Sequence, residues 1–268
     1  RLFMRQLFLV KSTHGLRREN NMTLDYLSLA DSRIAYQRQV GEKKSPGILF
    51  LGGYVSDMTG SKATFLSAQA KKKRKSFLRF DYRGHGRSSG DFFEMTIGDW
   101  LQDALAVFDK LTAGPQIIVG SSMGGWMGLL LAKARPKRIK AFIGVAAAPD
   151  FTEDLVWKRL SPSARKKIQQ TGVHYESDAF RGHKVPFTMK LIKEGRKHLV
   201  LRSPLRLPCP VRLLQGMKDP DVPWEYAPHI AKKLLADDIR VTLIKDGGHS
   251  LSEPENLRLL WHTIEEFL

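Results

Sequence analysis

The sequence predicts an α/β domain: a mostly parallel, eight-stranded sheet with helices on both faces and a helical cap inserted after the sixth strand. Three observations carry that expectation. Apolar runs of strand length alternate with longer segments of helical period from Met22 onward. Several of the short runs are continuously apolar, as strands covered on both faces are. The alternation breaks once, between Phe151 and Pro210.

The strands are expected at Leu24–Leu29, Arg33–Arg38, Gly47–Leu51, Ser76–Phe80, Gln116–Val119, Ala141–Val145, Val211–Gln215 and Val241–Ile244. Between them the helical period places helices at Ser61–Lys73, Ile97–Leu111, Met123–Ala134, Trp224–Leu235 and Pro254–Leu268. Pro254 suits a first helical turn, where its missing N–H has no partner to lose. Strand–helix alternation of this kind calls for a parallel sheet wrapped by helices. The interrupting stretch shows helical patterns at Ser161–Gln170 and Phe187–Lys197 and no clear strand. We read it as a cap running from about residue 151 to 207, within one domain spanning 22–268.

Residues 1–21 stand apart, with five Lys/Arg against one acid, and read as a basic leader or a disordered extension. The whole chain carries a net charge of +17, including the run KKKRK at Lys71–Lys75. The basic residues are dispersed and no nucleic-acid-binding signature appears, so no obligatory nucleic-acid partner is expected. Peripheral contact with anionic surfaces is compatible with that charge. Cys209 is the sole cysteine, which excludes an intramolecular disulfide and a cysteine metal cluster. A reducing compartment suits this usage. The expectation is a cytoplasmic, bacterial-type protein, or a mitochondrial-matrix one if the chain is eukaryotic and its basic N-terminus is a transit peptide.

Within the stretch IIVGSSMGGWMG, the segment GSSMGG crowds three glycines and two serines at a strand-to-helix junction. That is the context of a G-x-S-x-G nucleophile elbow, centred on Ser122 and flanked by Gly120 and Gly124. Side chains at those two flanking positions would clash in so tight a turn. The turn exposes the serine at the carboxyl edge of the sheet, where open α/β sheets bind ligands. Ser121 lacks glycines on both sides at that spacing and is the neighbour. A serine needs a base. Of eight histidines, His249 follows the last strand in the glycine-rich VTLIKDGGHS, at the same sheet edge. An acid should precede it after another strand. VRLLQGMKDPDVPW supplies Asp219, with Asp221 as its rival and Asp150 a more distant third. The oxyanion donors are expected to be the backbone N–H groups of Met123 and of Tyr54, the latter in the loop that closes the early strand segment GILFLGGY. A further loop, RFDYRGHGRSSG, contains Asp81 and His85 but falls at the wrong point in the Ser–Asp–His order, and reads as a structural loop beside the site.

These motifs, FDYRGHGRSSG, GSSMGG, GMKDPDVPW and GGHS, resemble those of the α/β-hydrolase superfamily, in their usual order and over nearly the whole chain from Thr23. The resemblance implies the α/β-hydrolase fold. The segments LGGYVSDMTGSKA, GPQIIVGSSMGGWMGLLLAKARP, AFIGVAAAPDF, CPVRLLQGMKDPDVPW and FTMKLIKEGRKHLVLRSP are most similar to its mitochondrial palmitoyl-protein thioesterase branch, which is also associated with cleaving acyl glucuronides. Carried over by motif position, that branch's nucleophile falls on Ser122, its acid on Asp219 and its base on His249. Pro220 departs from the branch, where a second Asp is usual, and the GGHS loop and the basic surface differ as well.

The expected activity is acyl transfer to water through an acyl-serine, on an acylated small molecule or an acylated protein. No metal or organic cofactor is required. In the cap, Phe151, Leu155, Trp157, Phe187, Met189 and Leu191 either wall an acyl-binding pocket or pack the cap onto the sheet. The alternatives are a carboxylesterase or lipase on oxygen esters, a haloperoxidase-like or C–C bond hydrolase, and a non-catalytic binding protein on the same fold. The sequence leaves the oligomeric state open.

Overall fold

The computed structural model describes residues 23–42, 45–178 and 183–268; the basic segment 1–21 lies outside them. Twelve strands and seven α-helices alternate along the described residues. The eight that form the main sheet are β1 (Asp25–Ser28), β2 (Arg33–Gln39), β3 (Gly47–Leu51), β4 (Phe77–Phe80), β5 (Gln116–Ser121), β6 (Ile139–Val145), β10 (Val211–Gly216) and β12 (Ile239–Ile244). Their order is β1-β2-β4-β3-β5-β6-β10-β12. Only β2 runs against its neighbours β1 and β4; every other pairing is parallel.

Side-chain alternation in the central strands feeds two separate cores. Leu49 and Leu51 of β3 point to one face, with Trp100, Phe108, Trp126 and Phe142. Ile48 and Phe50 point to the other, with Leu66 and Trp261. The helices α2 (Ile97–Leu111) and α3 (Met123–Ala134) cover the first face, and α1 (Ser61–Lys72) and α7 (Pro254–Glu265) the second. Thr96 and Asp99 close a reciprocal capping box on α2, satisfying two N–H groups that the helix leaves open. Pro254 stands in the first turn of α7. β12 forms the outer edge and is only half-covered, so its residues alternate where β3 and β5 are buried throughout. No helix among the described residues is long and apolar enough to cross a membrane.

The insertion after β6 contains α4 (Pro162–Thr171) and α5 (Met189–Gly195), close to the two helices expected there, and also an antiparallel hairpin, β7 (Val173–Asp178) with β8 (His183–Thr188). The expectation of no strand in this stretch is therefore corrected. VHYESD and HKVPFT carry few apolar residues, and Pro186 interrupts the second; a proline is tolerated here because a two-stranded hairpin has only edges. Two short strands, β9 (Leu205–Arg206) and β11 (Leu234–Leu235), pair in parallel, and β11 takes the end of the helix expected to reach Leu235. That helix, α6, spans Tyr226–Lys233.

Two loops at the carboxyl edge are built for close approach. At the β5–α3 junction, a Cβ on Gly120 would collide with the carbonyl oxygen of Gly124, and one on Gly124 with that of Leu51. Below the β3 loop, the buried carboxylate of Asp81 accepts N–H bonds from Met58 (2.7 Å) and Arg87 (2.8 Å). Burial nevertheless lifts its pKa to about 6, against the pull of those donors.

Two outcomes are expected. Gly124→Ala destabilises the protein by about 3 kcal/mol or more, because backbone must move to admit the methyl. Gly248→Ala, which meets nothing within 4 Å, changes stability by less than about 1 kcal/mol; denaturant unfolding measures both. The second concerns pH. A raised carboxyl pKa means that the folded chain still holds a proton which the unfolded chain has released. Asp81 thus costs stability as pH rises from its ordinary value through about 6. The stability advantage of wild type over Asp81→Asn should fall by on the order of 2 kcal/mol between pH 4 and pH 7. An advantage that grows with pH contradicts the assignment.

Candidate active site

Ser122 stands between β5 and α3, as the N-cap of the helix, and its backbone has φ +54°. Three hydrogen bonds hold this conformation. Its N–H donates to Val145 (2.9 Å), and its carbonyl accepts from Gly125 (2.8 Å) and Ala148 (3.0 Å). The hydroxyl is half-buried and faces His249, with Oγ 3.1 Å from Nε2. On the other side of the ring, Nδ1 lies 2.8 Å from Oδ2 of Asp219. A carboxylate can only accept from that nitrogen, so the ring proton sits on Nδ1 and the Nε2 lone pair meets the serine hydroxyl.

Asp219 itself is tied in place. Its Oδ1 accepts N–H bonds from Asp221 and Val222, both 2.9 Å, and its Oδ2 also accepts from the amide of Gln215 at 3.0 Å. Asp219 is buried while Asp221 is exposed, and Asp221 gives the acid its backbone N–H. Asp150 stands elsewhere, fully buried, where it accepts the N–H groups of Val200 and Leu201 and fastens the chain returning from the cap. Gln215 was not anticipated. It is the fifth residue of β10, at 0 % exposure, and the sequence signal that would have found it is an amide at the end of the strand run VRLLQG, one residue before the turn glycine.

Among the described residues, Asp219, Asp221 and His249 bring ligand atoms within 4.8 Å of one another. The Asp219 carboxylate already accepts four hydrogen bonds, so the cluster reads as an acid–imidazole pair and not as a vacant cation cage.

The β3 loop comes up beside the serine. A Cβ on Gly53 would touch Ser122 Cβ and the Ser121 carbonyl, both at 3.4 Å, so the loop lies in van der Waals contact with the elbow. Tyr54 and Met123, the expected oxyanion donors, both line the cavity that Ser122 and His249 open into. The Tyr54 phenol donates to the carbonyl of Pro186 in the cap hairpin (2.5 Å), and its ring stacks on Phe187 at 5.2 Å. Burial pushes that phenol far above its ordinary pKa, so it stays neutral and remains a donor. Lys62 of α1 donates to the carbonyl of Ser250, bracing the histidine loop.

The cavity encloses about 570 Å³. Its apolar lining comes largely from the cap: Phe151, Leu155, Val156, Val185 and Phe187, with Tyr54. Polar lining comes from Ser56, Asp57, Lys62, Ser250 and Ser252, and from Arg159 and Glu176 of the cap. Of the six cap residues singled out from the sequence, Phe151, Leu155 and Phe187 line the cavity. Met189 and Leu191 are buried in the core, and Trp157 lies under the guanidinium groups of Arg165 and Arg196. His85 and Asp81 are buried below the β3 loop, away from the reacting side chains.

The family profile described as the Alpha/beta hydrolase family matches residues 48–258. The palmitoyl-protein thioesterase ABHD10 of Homo sapiens, named mitochondrial, is 39% identical over 248 residues, covering 92% of this chain and 80% of that protein. The Bos taurus protein of the same name is 38% identical over 253 residues, covering 92% and 80%. Among solved structures, mouse alpha/beta hydrolase domain-containing protein 10 superposes with a TM-score of 0.85 at 38% identity, covering 91% of this chain and 97% of that one. A putative hydrolase from Agrobacterium vitis gives 0.87 at 36% identity, covering 92% and 99%. The cytoplasmic expectation is corrected by these relatives, since the ABHD10 proteins are all named mitochondrial. One cysteine and the lack of a membrane-length apolar run describe a matrix protein as well as a cytoplasmic one, so neither feature carried the distinction. The chain belongs to the α/β-hydrolase family, as a serine-hydrolase-type member related to the ABHD10 thioesterases.

Proposed function

We propose that this chain hydrolyses acyl thioesters or esters through an acyl-serine, with Ser122 as nucleophile, His249 as general base and Asp219 as the acid that orients it. The single observation carrying this reading is the continuous chain of contacts from Asp219 Oδ2 through the His249 ring to Ser122 Oγ, at 2.8 and 3.1 Å.

In the first half-reaction the hydroxyl attacks the acyl carbonyl while Nε2 takes its proton. Asp219 stabilises the imidazolium that forms. The N–H groups of Tyr54 and Met123 receive the negative charge that develops on the carbonyl oxygen, and the amino end of α3 adds its dipole. The imidazolium then returns the proton to the departing thiol or alcohol. In the second half-reaction Nε2 deprotonates the water that attacks the acyl carbonyl, the imidazolium returns the proton to Ser122 Oγ as the bond between acyl carbon and Oγ breaks, and the carboxylic acid leaves.

The cavity lining supports a substrate class: its apolar residues suit an acyl chain, and polar ones such as Lys62 and Ser250 suit a hydrophilic leaving part. The relationship to palmitoyl-protein thioesterases favours long-chain thioesters. Oxygen esters remain in the same class, because a rhodomycin D methylesterase from Streptomyces is 28% identical over 65% of this chain. The acylated partner is either a small molecule or a protein, and the mitochondrial relatives make the mitochondrion the proposed compartment.

The test is hydrolysis of a chain-length series of acyl thioesters and of the matching oxygen esters. For Ser122→Ala, kcat/KM falls by about 10⁴-fold or more, and for Asp219→Asn by about 10²–10⁴-fold. Long-chain thioesters should give the highest kcat/KM. Hydrolysis by Ser122→Ala at the wild-type rate overturns the proposal.

A further inference from the structure

The Tyr54 N–H belongs to the peptide that joins Gly53 to Tyr54. A trans peptide is flat, with its carbonyl and N–H pointing in opposite directions, so fixing one end aims the other. The Gly53 carbonyl is fixed: it accepts the hydroxyl of Ser56 at 2.8 Å. The next peptide is fixed from the other side. The Val55 N–H donates to Nε2 of His85 at 3.2 Å, and Val55 has φ +54°, a conformation that a β-branched residue does not hold unaided.

His85 is suited to that task. It is 5 % exposed and its ring makes edge contacts with Phe92 (5.1 Å) and Trp100 (5.2 Å). Nδ1 lies 3.3 Å from the Arg83 carbonyl, so the proton sits on Nδ1 and the lone pair on Nε2 accepts the Val55 N–H. The RFDYRGHG motif is otherwise unused by the reaction.

We propose that Ser56 and His85 are positioning residues that aim the Tyr54 N–H into the oxyanion site, acting through the two peptides on either side of Tyr54. The inference rests on the acyl-serine reading of the site. Its signature is specific. A loosened donor loses contact with the oxyanion of the transition state, and leaves ground-state binding in the cavity untouched.

The experiment measures kcat, KM and the inhibition constant of a long-chain trifluoromethyl ketone, which forms a tetrahedral adduct on the serine, for wild type, Ser122→Ala, Ser56→Ala, His85→Phe and His85→Gln. Ser56→Ala and His85→Phe each lower kcat by about 10–100-fold, below the ~10²–10³-fold that loss of a whole oxyanion donor costs. For His85→Phe, at a position that does not line the cavity, KM changes by less than about 3-fold, and for both variants ketone affinity falls by the same factor as kcat/KM. His85→Gln, whose side-chain carbonyl can accept the Val55 N–H, recovers most of the loss. Ser56→Ala removes one half-buried hydroxyl, so the result does not depend on His85→Phe folding. Variants that keep wild-type kcat, or that lose KM while ketone affinity stands, overturn the positioning role while leaving the function intact. If wild type hydrolyses no faster than Ser122→Ala, the acyl-serine reading falls and this inference falls with it.

Discussion

A non-glycine residue held at positive φ is the constraint on which this structure turns. Ser122 carries backbone strain of about 1–3 kcal/mol, and it is held by contacts on every side. β6 supplies an acceptor for its N–H, and the chain beyond β6 a donor to its carbonyl. Gly120 and Gly124 let the elbow close against the end of β3. That closeness in turn brings Gly53 against the serine, so one tight turn places both the hydroxyl and the neighbouring loop. The strain has a geometric return: the side chain lines the cavity, with its hydroxyl against the His249 ring.

The remaining side chains converge because parallel strands deliver their loops to one edge. β10 ends at Gly216 and β12 at Ile244, in register as direct neighbours, so Asp219 and His249 leave the sheet side by side. Gln215 then serves two layers. Its strand position is part of the sheet, and its amide bonds both the acid and the Val222 carbonyl, closing the acid loop on itself.

Much of this was legible in the chain. The central strands are continuous apolar runs bounded by glycine, and helices α2 and α3 match their expected limits. The convergence of Ser122, Asp219 and His249 was legible because each follows a strand at glycine-permitted turns, and strand order brings them together. The cap was harder to read. Its hairpin pairs VHYESD with HKVPFT, whose polar residues and proline hide the alternation of a strand, because one pair of edge strands has little core to bury. The link from Tyr54 to Pro186 was illegible for a different reason. It joins residues 132 apart through a backbone carbonyl, and no residue type signals a carbonyl acceptor. The burial of His85 was equally hidden, since a histidine inside GHG looks like any other loop histidine until aromatic rings close around it.

The central claim is that strain and convergence make one hydroxyl reactive. Mass spectrometry of folded protein treated with a fluorophosphonate tests it most directly. The account predicts a single adduct, located by peptide mapping at Ser122 and not at the adjacent Ser121, and lost in denatured protein. Labelling at Ser121 or at scattered hydroxyls, or no labelling of the folded chain, would contradict it.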